Sequence, residues 1–257
     1  MLYTIQNLTK QRNRAQGYCL HIRHLCIPEG AHIAITGPSG CGKSTTLDVL
    51  GLALQPDTAA RFTFAPPEGV VDIMELWQHT RHDALAALRL RHMGYVLQTG
   101  ELLPFLTVLE NMTLTARMAG IPTAQASDTA HALANRLGIG HLLQAMPSTL
   151  SVGERQRAAI VRALTPHPQI ILADEPTAAL DPYHAARVME AFLQAVDAQG
   201  GTLILVTHNA DWARQGGLEE ITFVLETGEN GVTAVLDNST HFSPDGEEYC
   251  SCCVDSN

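Results

Sequence analysis

Apolar and polar residues alternate over Leu2–Ile5 and again at Tyr18, Leu20 and Ile22, the period of two that half-buried strands require; Pro28-Glu29-Gly30 supplies a turn after them. Ala31–Thr36 is almost wholly apolar and runs at once into a glycine-rich turn, then into the helical spacing of Lys43–Leu54. Strand, loop and helix are expected in that order. Residues 55–69 contain three prolines and predict a turn-rich connection around one short strand. Asp72–His92 has helical spacing at Ile73, Leu76 and Trp77, and again at Leu85, Leu88 and Leu90. From Thr107 to Leu164 nearly every segment predicts helix, punctuated by Gly120-Ile121-Pro122, Gly138–Gly140 and Pro147. The α/β pattern then resumes with strand Ile170–Asp174, helix Tyr183–Ala198 and strand Thr202–Thr207, a parallel unit. Ile221–Leu225 and Val232–Leu236, joined across Glu226–Gly231, predict a closing hairpin. The expectation is a single α/β domain over residues 1–249, with a helical subdomain inserted at about 99–165 and a flexible acidic, cysteine-containing tail at 237–257.

The 257 residues are 46% hydrophobic, enough for a sizeable core. The formal net charge of -10 gives no overall basic field to collect phosphate backbones, so nucleic acid is excluded as a main partner. No apolar run approaches the ~20 residues of a membrane span, and MLYTIQNLTKQRNR lacks the uninterrupted apolar run of a signal peptide. Membrane association is therefore expected through another protein. Six unevenly placed cysteines point to free thiols in a reducing compartment. Cys250, Cys252 and Cys253 crowd the acidic tail, which reads either as a frayed terminus or as a soft-metal or redox element.

Gly37-Pro38-Ser39-Gly40-Cys41-Gly42-Lys43-Ser44 has the spacing of a phosphate loop and stands between a strand and a helix, where that motif belongs. Its glycines let successive N–H groups face inward, and the helix that begins at Lys43, Ser44 and Thr45 adds its positive end. Lys43 can reach the outer phosphates of a nucleotide as a point charge, and the Ser44 hydroxyl can take one place on Mg²⁺. Cys41, beside that helix end, is expected to tend toward thiolate. Gln169–Glu175 is a buried-strand pattern that ends in two carboxylates: Asp174 can hold the metal's water shell and Glu175 can polarise an attacking water. Taken alone, the same pair reads as two acids capping a strand before Pro176.

Leu150-Ser151-Val152-Gly153-Glu154-Arg155-Gln156-Arg157 opens a helical run just upstream of that strand. Ser151 with Glu154 is a capping box, and a capped helix start is also an anion site. Here the chain resembles the ABC ATPase family, whose signature has the form LSGGQ. The resemblance covers about residues 2–236 and brings further motifs in the family's order. Tyr95-Val96-Leu97-Gln98 is similar to the glutamine loop, which implies that Gln98 contacts Mg²⁺. Ala179-Leu180-Asp181 is similar to the D-loop, and Val206-Thr207-His208 to the switch histidine, which implies a γ-phosphate contact from His208. GYVLQTGELLPFLTVLENMTL and LSVGERQR look most like the small ATPases of lipoprotein-release, macrolide-export and related cell-envelope transporters.

The resemblance implies a P-loop NTPase with a RecA-like core, an antiparallel β subdomain and the helical insertion. It also implies ATP hydrolysis with Mg²⁺ in a head-to-tail homodimer, each ATP held by one subunit's phosphate loop and by Ser151 and Gly153 of the other. The partners implied are membrane permease subunits, at the inner face of the cytoplasmic membrane. Departures from the family pattern are Val152 in place of the usual glycine, the longer stretch Pro56–Gln98 without its usual turn glycine, and an unclear adenine-stacking aromatic. Tyr18 fits either as that platform or as sheet core. Competing readings are a soluble ABC ATPase acting on DNA or ribosomes, a nucleotide-dependent regulator without turnover, and a P-loop kinase. The absence of a long coiled-coil insertion or second ATPase domain, Glu175 with His208, and the signature helix argue against them in turn.

Overall fold

A computed structural model describes residues 1–12, 18–178, 180–208, 213–214, 216–228 and 231–238. The three tail cysteines and Ala179 lie outside the described residues. Strands β1 (Tyr3–Arg12) and β2 (Tyr18–Ile27) pair antiparallel from Tyr3 opposite Ile27 to Arg12 opposite Tyr18. Both are longer than the alternation predicts. In β1, Asn7 turns left-handed (φ 49°), so Ile5 and Leu8, three residues apart, are both buried and the period of two is lost.

Strand β3 (His32–Thr36) leads through the glycine turn into helix α1 (Lys43–Leu50). α1 ends at Gly51, short of the expected Leu54, and Leu52 turns left-handed. Strand β4 (Arg61–Phe64) is the expected short strand; β5 (Val71–Asp72) follows it. The helix expected over Asp72–His92 is two, α2 (Ile73–Gln78) and α3 (His82–His92). Asp72 caps α2 by accepting from the Glu75 N–H at 3.1 Å, and Thr80 at φ 51° breaks the chain between the helices.

Strand β6 (Met93–Val96) precedes the glutamine segment, and helices α4 (Val108–Met118), α5 (Thr123–Arg136) and α6 (Val152–Leu164) form the helical unit. Asn111 is fully buried in it: its Oδ1 accepts from the Leu103 N–H, and its Nδ2 lies within bonding distance of the Leu103, Leu106 and Thr107 carbonyls, tying the loop 103–107 to α4. Strand β7 (Ile170–Asp174), helix α7 (Pro182–Asp197) and strand β8 (Thr202–Val206) match their expected positions.

The run expected as one strand of a hairpin, Ile221–Leu225, divides between two sheets. β9 (Glu219–Thr222) pairs parallel with β3, whereas β10 (Val224–Gly228) pairs antiparallel with β11 (Gly231–Asp237). Phe223, buried between them, donates its N–H to the Thr36 carbonyl at 3.1 Å. An apolar run carries no mark of which sheet each half joins: Ile221 and Phe223 are buried, while Val224 and Leu225, equally apolar, stand exposed in the second sheet.

The five-stranded sheet is wholly parallel in the order β6-β7-β8-β3-β9, and the six-stranded one runs β10-β11-β2-β1-β4-β5. The second is antiparallel except where β11 lies parallel to β2. One apolar core joins the second sheet to α1 and includes Tyr3, Phe62 and Phe64; the other fills the space between the parallel sheet and α4–α7.

At Gly94 in β6 the sheet meets α6 so closely that an added Cβ would lie 2.5 Å from the Ala163 carbonyl oxygen and 3.1 Å from Pro168 Cγ. Neither a backbone carbonyl nor a proline ring can swing aside. Gly94→Ala is therefore expected to cost about 1–3 kcal/mol and to lower the urea midpoint; a midpoint equal to the parent's would mean that α6 stands further from β6 than this packing requires.

Candidate active site

The parallel sheet brings the C-terminal ends of β3, β6, β7 and β8 to one edge, the place where open α/β sheets hold ligands. There a cleft of about 650 Å³ is lined by Ser39, Gly40, Gly42, Lys43, Ser44, Thr45, Gln98, Asp174, Glu175 and His208, with Tyr18 and Arg12 also on its wall. Gln98, Asp174, Glu175 and His208 come from three strand ends more than 30 residues apart in sequence and meet the loop that follows β3. β8 lies between β7 and β3, so Asp174 reaches the loop across an intervening strand.

The loop is built by left-handed glycines. Gly40 (φ 80°) and Gly42 (φ 96°) hold conformations that cost other residues strain, and an added Cβ at Gly40 would meet nothing within 4 Å. Its tip is open to the cleft. Gly42 also stands at the N-terminus of α1, which has no side-chain cap, whereas α6 and α7 are capped by Ser151 and Asp181. Uncapped N–H groups and the positive helix end together favour an anion. Lys43 is nearly buried and donates from Nζ to the Gly37 and Pro38 carbonyls at 2.9 and 3.0 Å, so the loop is wrapped around its own ammonium.

Asp174 is half-buried, and burial pushes its carboxyl above the usual carboxylate range; a hydrogen bond from Ser44 and the charge of Lys43 pull it back, while Glu175 and Asp48 push further up. Glu175 sits in the left-handed region at φ 45°, held there by its N–H on the Val206 carbonyl at 2.9 Å. Such a conformation costs on the order of 1–3 kcal/mol and collects at functional sites. Its Oε2 accepts from His208 Nδ1 at 2.9 Å. The two residues assigned to water and γ-phosphate are thus hydrogen-bonded to each other.

Tyr18 packs against the core and also reaches the cleft wall. It lines the cleft, and its hydroxyl presses on Gly42 so closely that a Cβ there would lie 2.7 Å away. That hydroxyl is buried with no hydrogen-bond partner among the described residues, and burial, with Cys41 and Cys19 nearby, pushes it up to about 12. Cys41 departs from expectation. Only 2% exposed, it belongs to the core beneath the loop, and burial raises its thiol despite the charge of Lys43. Its side chain faces away from the cleft, which it does not line, so burial outweighs the helix end.

Ser151 and Gly153 lie outside the cleft. Ser151 is exposed at the start of α6 in a complete capping box: its Oγ accepts from the Glu154 N–H at 3.3 Å, while Glu154 Oε2 accepts from the Ser151 N–H and hydroxyl at 2.8 Å. These bonds hold the Glu154 carboxyl below its usual range. α6 is tied to the glutamine segment by residues the sequence reading passed over: Gln156 Nε2 donates to the Leu97 carbonyl at 3.0 Å, and Arg162 to those of Glu101 and Gly100 at 2.8 and 3.1 Å. Arg12 was also missed. Only the pairing of Arg12 with Tyr18 across β1 and β2 brings it to the cleft; the one signal in sequence was its place in a short basic cluster.

A family model described as ABC transporter matches residues 20–178. The chain belongs to the ABC transporter family. It is 38% identical to the lipoprotein-releasing system ATP-binding protein LolD of Paramagnetospirillum magneticum, over 74% of this chain and 80% of that protein. It is 40% identical to the macrolide export ATP-binding/permease protein MacB 1 of Yersinia pestis over 74% of this chain, but only 28% of that longer protein. A dimeric post-hydrolysis structure of the ATP-binding cassette MJ0796 with ADP and Pi superposes with a TM-score of 0.71 at 30% identity, covering 86% of this chain and 93% of that one. The chain is an ATP-binding cassette ATPase with a P-loop NTPase fold, and lipoprotein-release and macrolide-export ATP-binding proteins are among its relatives.

The burial of Cys41 has a chemical consequence. Maleimide should label it slowly in the native protein and rapidly once urea has unfolded the chain, as followed by mass spectrometry; rapid native labelling at Cys41 would show that the thiol faces the cleft.

Proposed function

We propose that the chain is one half of a nucleotide-closed homodimer that drives membrane permease subunits in cell-envelope transport, working at the inner face of the cytoplasmic membrane. The observation that carries this reading is the separation of the signature from the cleft. Ser151 and Gly153 line no part of the cleft that holds Lys43, Asp174 and Glu175, so they can reach a nucleotide only in a second copy. The dimeric state of the MJ0796 cassette and the names of the LolD and MacB relatives support it. Among the described residues no helix is long and apolar enough to cross a membrane.

The loop fits ATP. Phosphate oxygens replace the Gly37 and Pro38 carbonyls as partners of Lys43, and the uncapped N-terminus of α1 takes the negative charge. Ser44, Asp174 and Gln98 offer only oxygen donors of the kind a hard cation takes, and Mg²⁺ bound among them would neutralise charge on the phosphate oxygens. Water attacks the γ-phosphorus as the bond to the bridging oxygen breaks. Its proton passes to Glu175, which the strained backbone and His208 hold at the edge of the cleft. Lys43 and the helix end stabilise charge as it moves to ADP. Gln156 and Arg162 give α6 a rigid hold on the glutamine segment, so a change at Gln98 shifts the helical unit that faces the permease.

Glu175→Gln keeps shape and loses basicity. Hydrolysis should fall ~10²–10⁴-fold while ATP binding survives, and size-exclusion chromatography should show a dimer in ATP and a monomer in ADP. Lys43→Ala should remain a monomer in both. Turnover of Glu175→Gln at the parent rate would reduce Glu175 to a strand-end acid and favour a regulatory ATP-binding protein.

A further inference from the structure

A second pocket, of about 230 Å³, lies where three helices of the two units meet. Arg136 enters it from the end of α5, Arg157 from one turn into α6, and His184 and Arg187 from the first turns of α7, over an apolar wall of Val188 and Ala191. It holds three of the chain's fourteen arginines, and no carboxylate lines it. The acids on the same helices face other partners: Glu154 is closed in its box with Ser151, Asp181 accepts from the His184 N–H and ring, and Glu190 accepts from Gln194. Burial leaves Arg157 Nε without a hydrogen-bond partner among the described residues. Among the described residues Arg136 makes a single long contact of 3.5 Å, to the Gln194 carbonyl, and Arg187 rests over the Tyr183 ring.

Three guanidinium groups share this pocket with no carboxylate on its wall; the nearest acids, Glu154 beside Arg157 and Asp181 on His184, are already held by Ser151 and His184, and in a chain of net charge -10 that gathering has no general electrostatic origin. We propose that this pocket binds a phosphoryl dianion. Arginine is the side chain whose planar fork suits phosphate oxygens, and the apolar wall strengthens the attraction by excluding water. The volume falls below the roughly 300–1,000 Å³ of pockets for drug-sized ligands, so it suits one phosphoryl group, carried free or as a lipid headgroup. Bound there, the anion joins α5 and α6 of the helical unit to α7 of the core. It lies within two turns of Ser151, about one turn from Gly153 and about one turn from Asp181, so its occupancy bears on how the signature and D-loop are presented.

The test is calorimetric titration of inorganic phosphate into the full chain at constant ionic strength, with the ATP cleft filled by Mg²⁺ and a non-hydrolysable ATP analogue. One saturable site per chain is expected. Arg136→Gln and Arg187→Gln, each exposed and made singly, should weaken it at least tenfold, and Arg23→Gln, in the other sheet, should not. Phosphate should raise the thermal midpoint of the parent and not of either pocket variant. Flotation with vesicles of phosphatidylcholine, alone or mixed with phosphatidic acid, whose headgroup is a phosphomonoester, separates the sources: binding to the mixed vesicles that the pocket variants lose identifies a headgroup, and phosphate binding without it identifies a free anion. No saturable phosphate or vesicle binding, or binding unchanged in both variants, overturns the proposal.

Discussion

The phosphate loop closes around Lys43, and the rest of the site depends on that contact. The loop carries one ammonium, nearly buried, with two of its own carbonyls as partners, at the foot of a helix whose N-terminus has no side-chain cap. Both features are costly in isolation, and a single anion placed there would satisfy the lysine and the helix end together. The left-handed glycines exist to bring backbone and ammonium to the same point. Tyr18, pressed on Gly42, fixes the loop against the other sheet, so the cleft stands where the two cores meet.

The parallel sheet then decides what surrounds the loop. Because β7 and β8 run in the same direction as β3, their carboxyl ends bring Asp174, Glu175 and His208 to the edge where the loop begins. The left-handed turn at Glu175 is a local cost borne for position: it points the carboxylate at His208 instead of continuing the strand. α6 is held at both ends of its relation to the cleft, by its own capping box at Ser151 and by the bonds of Gln156 and Arg162 to the segment after Gln98. These bonds tie α6 to the glutamine segment while its N-terminus leaves Ser151 exposed.

Much of this was legible in sequence because it is local. A phosphate loop is a run of eight residues whose meaning lies in backbone torsion and in the strand and helix beside it. The capping box of Ser151 and Glu154 is likewise four residues long. β7, α7 and β8 were readable because each changes its hydrophobic period within its own length. Such features need no partner to be recognised, and their order along the chain was enough to indicate the family.

What the tertiary structure decided is whatever depends on which element lies next to which. The division of Ile221–Leu225 between two sheets, the presence of β6 and the breaking of Asp72–His92 at Thr80 follow from packing that an apolar run does not record. Cys41 shows the same limit within the motif itself: spacing places its backbone in the loop, but only the core beneath decides that its side chain turns inward, where burial raises its thiol. Arg12 reached the cleft through strand pairing, and Arg136, Arg157 and Arg187, spread over three helices, became one pocket only through their packing. Sequence determines the chemistry that neighbouring residues can perform together; distant residues acquire a shared chemistry only when burial of their helices and strands sets them face to face.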